Sequence, residues 1–274
     1  MTSQYERWTL KTSGITAEIF TEGQGAGTPG SQGYTELYDD AVYFWAWPRI
    51  SGHSRDVVAV GGGKPGLNPV ENEIMAGFDD IRDLLNTTFL GSTYGLSFII
   101  DDANTVHGVD QSAQSWHQAA VDNVNGALTR AAFIDIEEEL KEGNGKTSLY
   151  LGPNNQISNY MYLTGEPNAQ NSSVRVNLGT MGGTNLDLVP QSCSVAGKPF
   201  VGIKDVADTE VYGLDLRRTR LGPNWVMKVM RPFDVRPKYG PQMVGDDDLI
   251  ELSCAKLLVC RLVQRNSKLE GINA

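Results

Sequence analysis

Histidine, cysteine and clustered carboxylate are the side chains that do most protein chemistry, and in this chain they are few and poorly spaced. His107 and His117 lie in one polar stretch with Asp101, Asp102 and Asp110 nearby, a set that could suit a divalent metal. The HxxxH and HxH spacings that present two imidazoles together are missing, so these histidines read as solvated loop residues. Asp246, Asp247 and Asp248 offer carboxylates, but three adjacent side chains entering a strand cannot converge on one ion. They read as solvated charge. Gly61-Gly62-Gly63-Lys64 invites comparison with a phosphate loop, yet it lacks the GxxxxGK[ST] spacing and Pro65 follows the lysine. Cys193, Cys254 and Cys260 are too few and scattered for a disulfide framework or a zinc site. They are expected as reduced, buried thiols, with Cys254 and Cys260 on one face of a strand because they stand six residues apart. No GxSxG, HExxH or CxxC occurs. An α+β enzyme would have to assemble its site in space, leaving no local trace.

Composition narrows the classes further. A chain of 274 residues buries about 75% of its unfolded surface without metals or disulfides. Its 40% hydrophobic and 20% charged content is that of an ordinary globular protein. With 23 Lys+Arg against 33 Asp+Glu the net charge is −10. Wrapping nucleic acid needs clustered cations, so this acidity argues against it. There is no basic-then-apolar leader and no apolar run long enough for a membrane span, which points to a protein kept in a cytosol or in a particle assembled there.

The elements that would position any site are clearest between Leu128 and Leu163. Thr129 is placed as an N-cap, and Leu128 before it can staple to Phe133. Ala132, Phe133, Ile136 and Leu140 form one stripe, with Asp135, Glu137, Glu138 and Glu139 largely off it. Gly143-Asn144-Gly145 supplies positive-φ residues to end the helix. A short strand from Lys146 to Leu151 follows. Gly152-Pro153-Asn154-Asn155 then turns the chain into a second helix carrying Ile157, Tyr160, Met161 and Leu163.

Upstream, Tyr5 to Thr12 and Ile15 to Phe20 read as strand, and the Gly-rich stretch Gly23 to Gly33 as either a flexible linker or an arm ordered by a neighbouring subunit. Ala41 to Trp47 and Val57 to Val60 read as a long hairpin. Tyr43, Trp45 and Trp47 share one face of its first strand, as a core strand or as a ribbon that another chain must cover. Asn68-Pro69 opens a long amphipathic helix with Glu71 and Glu73 in its first turn and Val70, Ile74, Phe78, Ile81, Leu85 and Phe89 on one stripe, ending at Gly91. Leu96 to Ile100 is strand-like and Ser112 to Val124 helix-like.

Downstream, short strands are expected at Val174 to Leu178, Leu186 to Val189, Phe200 to Lys204, Glu210 to Asp215 and Trp225 to Met230. The chain closes with apolar strands over Leu249 to Val263 and Ser267 to Ile272. Arg217, Arg218, Arg220, Lys228, Arg231, Arg236 and Lys238 form a local basic excess, as a solvated face or as a patch for acidic surface on a neighbour.

The order of these parts resembles the major capsid proteins of tailed viruses of the Hong Kong 97 type. The helix-strand-turn-helix of Leu128 to Leu163, with its "NQISNYM" helix, is similar to the axial domain, and "GKPFVGIKDV" followed by "VYGLDL" to a pair of strands in that family. The resemblance implies an α+β fold with an N-terminal arm (1–35), an E-loop hairpin (36–66), a peripheral domain with a spine helix (67–127), an axial domain (128–245) and C-terminal strands returning to the peripheral domain (246–274). It implies a chain that self-assembles into pentamers and hexamers of an icosahedral virion shell, built in the host cytoplasm around dsDNA held without sequence-specific contacts. Its partners would be other copies of itself, a separate scaffold, a portal and a decoration protein. No catalytic residue, cofactor, metal or membrane is implied. Inter-subunit contacts are expected at Tyr43, Trp45, Trp47, Arg49 and Arg55 of the E-loop and at Tyr5, Trp8, Glu71, Glu73 and Asp79 of the arm and spine. Lys64 is the only lysine near the hairpin and sits at its base, which argues against the lysine-to-asparagine crosslink known in part of the family. An encapsulin-like compartment shares the fold and stands as the alternative.

Overall fold

The computed structural model describes residues 5–13, 32–50, 69–91, 94–164, 192–238 and 248–273. The strand expected over Ile15 to Phe20, the Gly-rich stretch up to residue 31, the proposed second hairpin strand, the Gly61–Lys64 run, Asn68, Arg55, Asp246, Asp247 and the strands expected between residues 174 and 189 lie outside them.

Helix α1, Pro69–Leu90, starts on the proline as expected. A missing N–H and a fixed φ cost nothing in a first turn. Its 22 residues make a rod of about 33 Å. Ile81, Leu85 and Phe89 are buried along one stripe, with Ile74 and Phe78 partly covered. That stripe lies on a sheet in which β15 (Asp248–Cys260) is flanked by β14 (Trp225–Lys238) on one side and by β3 (Val42–Ala46) and β4 (Arg49–Ile50) on the other. Strand alternation turns Phe44, Leu252 and Cys254 toward the helix, and Phe78 meets Phe233 edge-on at 5.3 Å. β14 runs through Lys238, well past the Met230 expected from sequence.

The opposite face of this sheet carries a ribbon that sequence did not reveal. β1, Tyr5–Ser13, pairs antiparallel with β2, Gly33–Asp40, setting Trp8 across from Leu37. Trp8, Leu10 and Leu37 are buried on Leu257 and Val259, which alternation directs away from α1. The stretch read as an arm therefore contributes a strand to a ribbon laid on its own chain.

A second sheet holds six strands in the order β7 (Ala120–Gly126), β16 (Ser267–Ile272), β11 (Val211–Leu214), β8 (Leu149–Gly152), β10 (Lys198–Gly202), β9 (Ser192–Val195). One face is covered by α3, Arg130–Glu142, and by the helix Asn154–Thr164, called α4. Phe133 meets the rings of Tyr150, Tyr160 and Phe200 at 4.8, 5.5 and 5.7 Å. Thr129 caps α3 as expected, its Oγ1 accepting from the Ala132 N–H at 3.3 Å. Beyond α3 it is Asn144 rather than Gly143 that takes positive φ.

Three local expectations differ. Leu96–Ile99 is a turn of helix, α2, buried against the second sheet, because a short apolar run carries no period that separates helix from strand. Ser112 to Val124 holds two 3-10 turns and then β7, not a helix. The last strand, β16, expected beside β15, crosses to the other sheet and lies between β7 and β11. Its register is set by partners more than fifty residues away, which local pattern cannot report.

Candidate assembly surface

The aromatic strand is built as its alternation dictates. Phe44 is buried under α1, while Tyr43, Trp45 and Trp47 are 47%, 59% and 41% exposed on the other side of the sheet. They stand on a part of that face away from the docked ribbon, whose buried contacts are with Leu257 and Val259. Across the sheet Tyr43 is level with Ala255 and Trp45 with Ser253, and those two are in turn level with Arg231 and Asp234 of β14. The small central residues, Ala255 at 0% and Ser253 at 7% exposure, separate an aromatic edge from a charged edge.

The charged edge is organised. Asp234 Oδ2 accepts from Arg231 Nη2 at 2.8 Å and from Arg236 Nε at 2.6 Å. The Arg231 hydrogen bond, with Arg236 adding, holds the Asp234 carboxyl below its usual range. Exposed Trp and Tyr beside Arg are the residue types that dominate protein interfaces, since each presents a rigid apolar surface with a polar handle. Tyr43 and Trp45 on β3, and Trp47 just beyond it, make a half-exposed aromatic row, a type of surface that other proteins often meet.

The other expected contact residues are distributed more widely. Arg49 is exposed on β4, and Glu71, Glu73 and Asp79 are exposed on α1. Asp79 is held by Arg82 of its own helix at 3.2 Å. The Tyr5 backbone pairs with Asp40 at the end of the ribbon. Trp8 is not on the surface: it is 8% exposed and stacks edge-on with His107 at 4.8 Å. Its face of β1 turns inward because the ribbon itself docks on the body.

The basic excess from Arg217 to Lys238 is largely consumed within the chain. Arg217 grips the fully buried Asp215, Lys228 pairs with Glu6 of the ribbon, and Arg231 and Arg236 share Asp234. Arg218 and Arg220 stand exposed on the short hairpin of β12 (Arg218–Thr219) and β13 (Gly222–Pro223). The histidines also differ from expectation, since His107 and His117 are both buried rather than solvated. A tertiary cover, the β1–β2 ribbon, encloses a loop that looks polar in sequence. The three cysteines are free and buried, as expected.

Among the described residues no group of three His, Cys, Asp or Glu side chains could hold a metal ion. Among them, too, no helix is long and apolar enough to cross a membrane.

No protein-family model matches the chain, and no curated protein matches it in sequence. Solved structures do match it in shape. The capsid asymmetric unit of cyanophage A-1(L) aligns with a TM-score of 0.73 at 15% identity, covering 100% of this chain and 89% of that one. The capsid of a native GTA particle aligns at 0.59 and 10% identity, over 100% and 86%. A holo-SrpI encapsulin complex from Synechococcus elongatus PCC 7942 aligns at 0.60 and 11%, over 88% and 78%. Each match spans at least 88% of this chain and at least 78% of the other. The chain has the α+β Hong Kong 97-type capsid fold.

Proposed function

We propose that this chain is a major capsid protein that self-assembles into pentamers and hexamers of an icosahedral virion shell around a dsDNA genome. The observation that carries the reading is the full-length likeness to capsid subunits, joined to an aromatic row on β3 that the single chain leaves open. In this reading Tyr43, Trp45, Trp47 and Arg49 meet an adjacent subunit, Arg55 and the end of the ribbon at Tyr5 extend the contact, and Glu71, Glu73 and Asp79 line the spine helix where a neighbour lies across it. Residues 1–35, 36–66, 67–127, 128–245 and 246–274 serve as arm, E-loop, peripheral domain, axial domain and closing strands. Ring and shell closure multiplies modest contacts, because each later one forms at high effective concentration.

The acidic balance suits a wall that encloses DNA without binding its sequence. Assembly in the host cytoplasm, with a separate scaffold, a portal and a decoration protein as partners, completes the proposal. No step of it requires catalysis. Negative-stain microscopy of the purified chain tests it: rings or shells are expected, and dispersed single subunits at high concentration would contradict it.

The encapsulin likeness favours one second reading, a cellular compartment with the same fold. Particles isolated from the native source separate the two. Nuclease-protected DNA supports the virion, and enclosed protein cargo without DNA supports the compartment.

A further inference from the structure

Two buried imidazoles lie one behind the other, His107 against the β1–β2 ribbon and His117 against His107, and nothing in the shell-forming role accounts for them. The His107 side chain is fully enclosed, in a left-handed backbone conformation with φ of 56°. Its ring sits 4.8 Å from Trp8 of the ribbon and 5.6 Å from the ring of His117, which in turn packs at 5.4 Å from Trp116. The ring nitrogens are buried and poorly satisfied, the Val106 backbone being the polar group that faces the His117 ring. Nδ1 of His107 comes within 3.2 Å of Asp39 on β2, the one acid within ion-pair distance of either ring among the described residues. The ribbon is further tied at this point by the Tyr38 N–H, which donates to the His107 carbonyl at 3.3 Å. Trp8 and Leu37 complete the cover.

We propose that the His107–His117 pair forms an acid-released latch, in which the stacked rings hold the β1–β2 ribbon against the body and protonation of His117 frees it. A cation on His117, whose ring faces His107 and Trp116 and has no acid within ion-pair distance among the described residues, would lack both water and counter-charge, since Asp39 reaches only His107. Opening the ribbon restores both. The other charged groups around the pair are already engaged or peripheral. Asp40 of β2 lines the cavity beside His107, and Glu6 of β1 pairs with Lys228 of β14. Asp110 of β6 (Val109–Asp110) accepts from Ser112. Arg265 belongs to the 3-10 turn Val263–Arg265, which packs on the turn holding His117. Burial, with His107 adding, pushes the His117 imidazole down to about 4.

The sign follows from that direction. An exposed imidazole titrates near 6.5, so the opened state takes up protons first. The latch is at full strength above that pH, weakens as pH falls from 6.5 toward 4, and loses nothing more below it. The inference concerns the single chain and does not depend on assembly.

Hydrogen exchange of the full chain, corrected for intrinsic rates and read by peptide, tests it. Between pH 7 and pH 5 the protection of 5–13 and 33–40 should fall on the order of tenfold, with α3 and β8 unchanged. His117→Phe, which keeps a ring and removes the proton site, should abolish that fall. His107→Asn, which tolerates the left-handed backbone, should reduce it. Equal acid loss in His117→Phe, or loss spread evenly over the chain, overturns the latch. Should that variant fail to fold, NMR titration of His117 in the unaltered protein decides: a midpoint near that of a free imidazole overturns the proposal, and a midpoint well below it supports it.

Discussion

Trp45 and Ser253 stand directly across from one another on β3 and β15, yet the indole is 59% exposed while the serine is 7% exposed with a hydroxyl that finds no partner. Replacing Trp45 and Trp47 together with Ser should therefore block assembly while lowering the melting temperature of the isolated subunit by less than Phe44→Ala does. Phe44 is 3% exposed under α1, and emptying such a site costs about 3–5 kcal/mol. Calorimetry of subunits beside sedimentation of assembly mixtures checks the difference; equal thermal losses in both variants would mark the tryptophans as core.

Phe133 is the hub of the helix-covered face of the second sheet, fully buried among Tyr150, Tyr160 and Phe200. Phe133→Ala should destabilise the subunit by about 3–5 kcal/mol in urea unfolding. A loss below about 1 kcal/mol would mean that this cluster repacks freely.

The Thr129 cap supplies one acceptor to the otherwise unpaired first turn of α3. Thr129→Ala is expected to cost about 1 kcal/mol, and Thr129→Asn to recover most of it. Denaturant melts of both variants read the difference; no recovery by Asn would remove the cap as the cause.

Lys268, 3% exposed, lies 2.8 Å from Asp101 and 3.0 Å from Glu270. Burial raises the Asp101 carboxyl, but the Lys268 and backbone hydrogen bonds outweigh it and hold the group below 3.8. The stability this adds is complete above that value and is lost as pH falls through the lower, folded one. Lys268→Met should flatten this part of the acid limb of a stability–pH curve. An unchanged limb would show that the pair contributes nothing to it.

Sequence carried the long helices well, because capping residues and a 3.6-residue period are local: Pro69 and Thr129 mark two starts, and the buried stripes run where spacing put them. The split of β3 into buried Phe44 and open Tyr43 and Trp45 was legible for the same reason. What local pattern could not supply was pairing between distant segments. β1 meets β2 across a glycine-rich stretch, and β16 leaves its neighbour β15 for the other sheet. The misplacement of Trp8 and of His107 follows from that one gap, since the ribbon packs on the body there, while His117 is buried behind His107 and Trp116. A signal did exist in the alternation of Trp8 and Leu10 with charged Arg7 and Lys11, which marks a strand with one covered face.

Light scattering coupled to size exclusion of the concentrated, full-length chain tests shell formation most directly. The account predicts a mass of five or six subunits or of a closed particle, falling to one subunit when Trp45 and Trp47 are both replaced by Ser. A single-subunit mass for the unaltered chain across the accessible concentration range would contradict it.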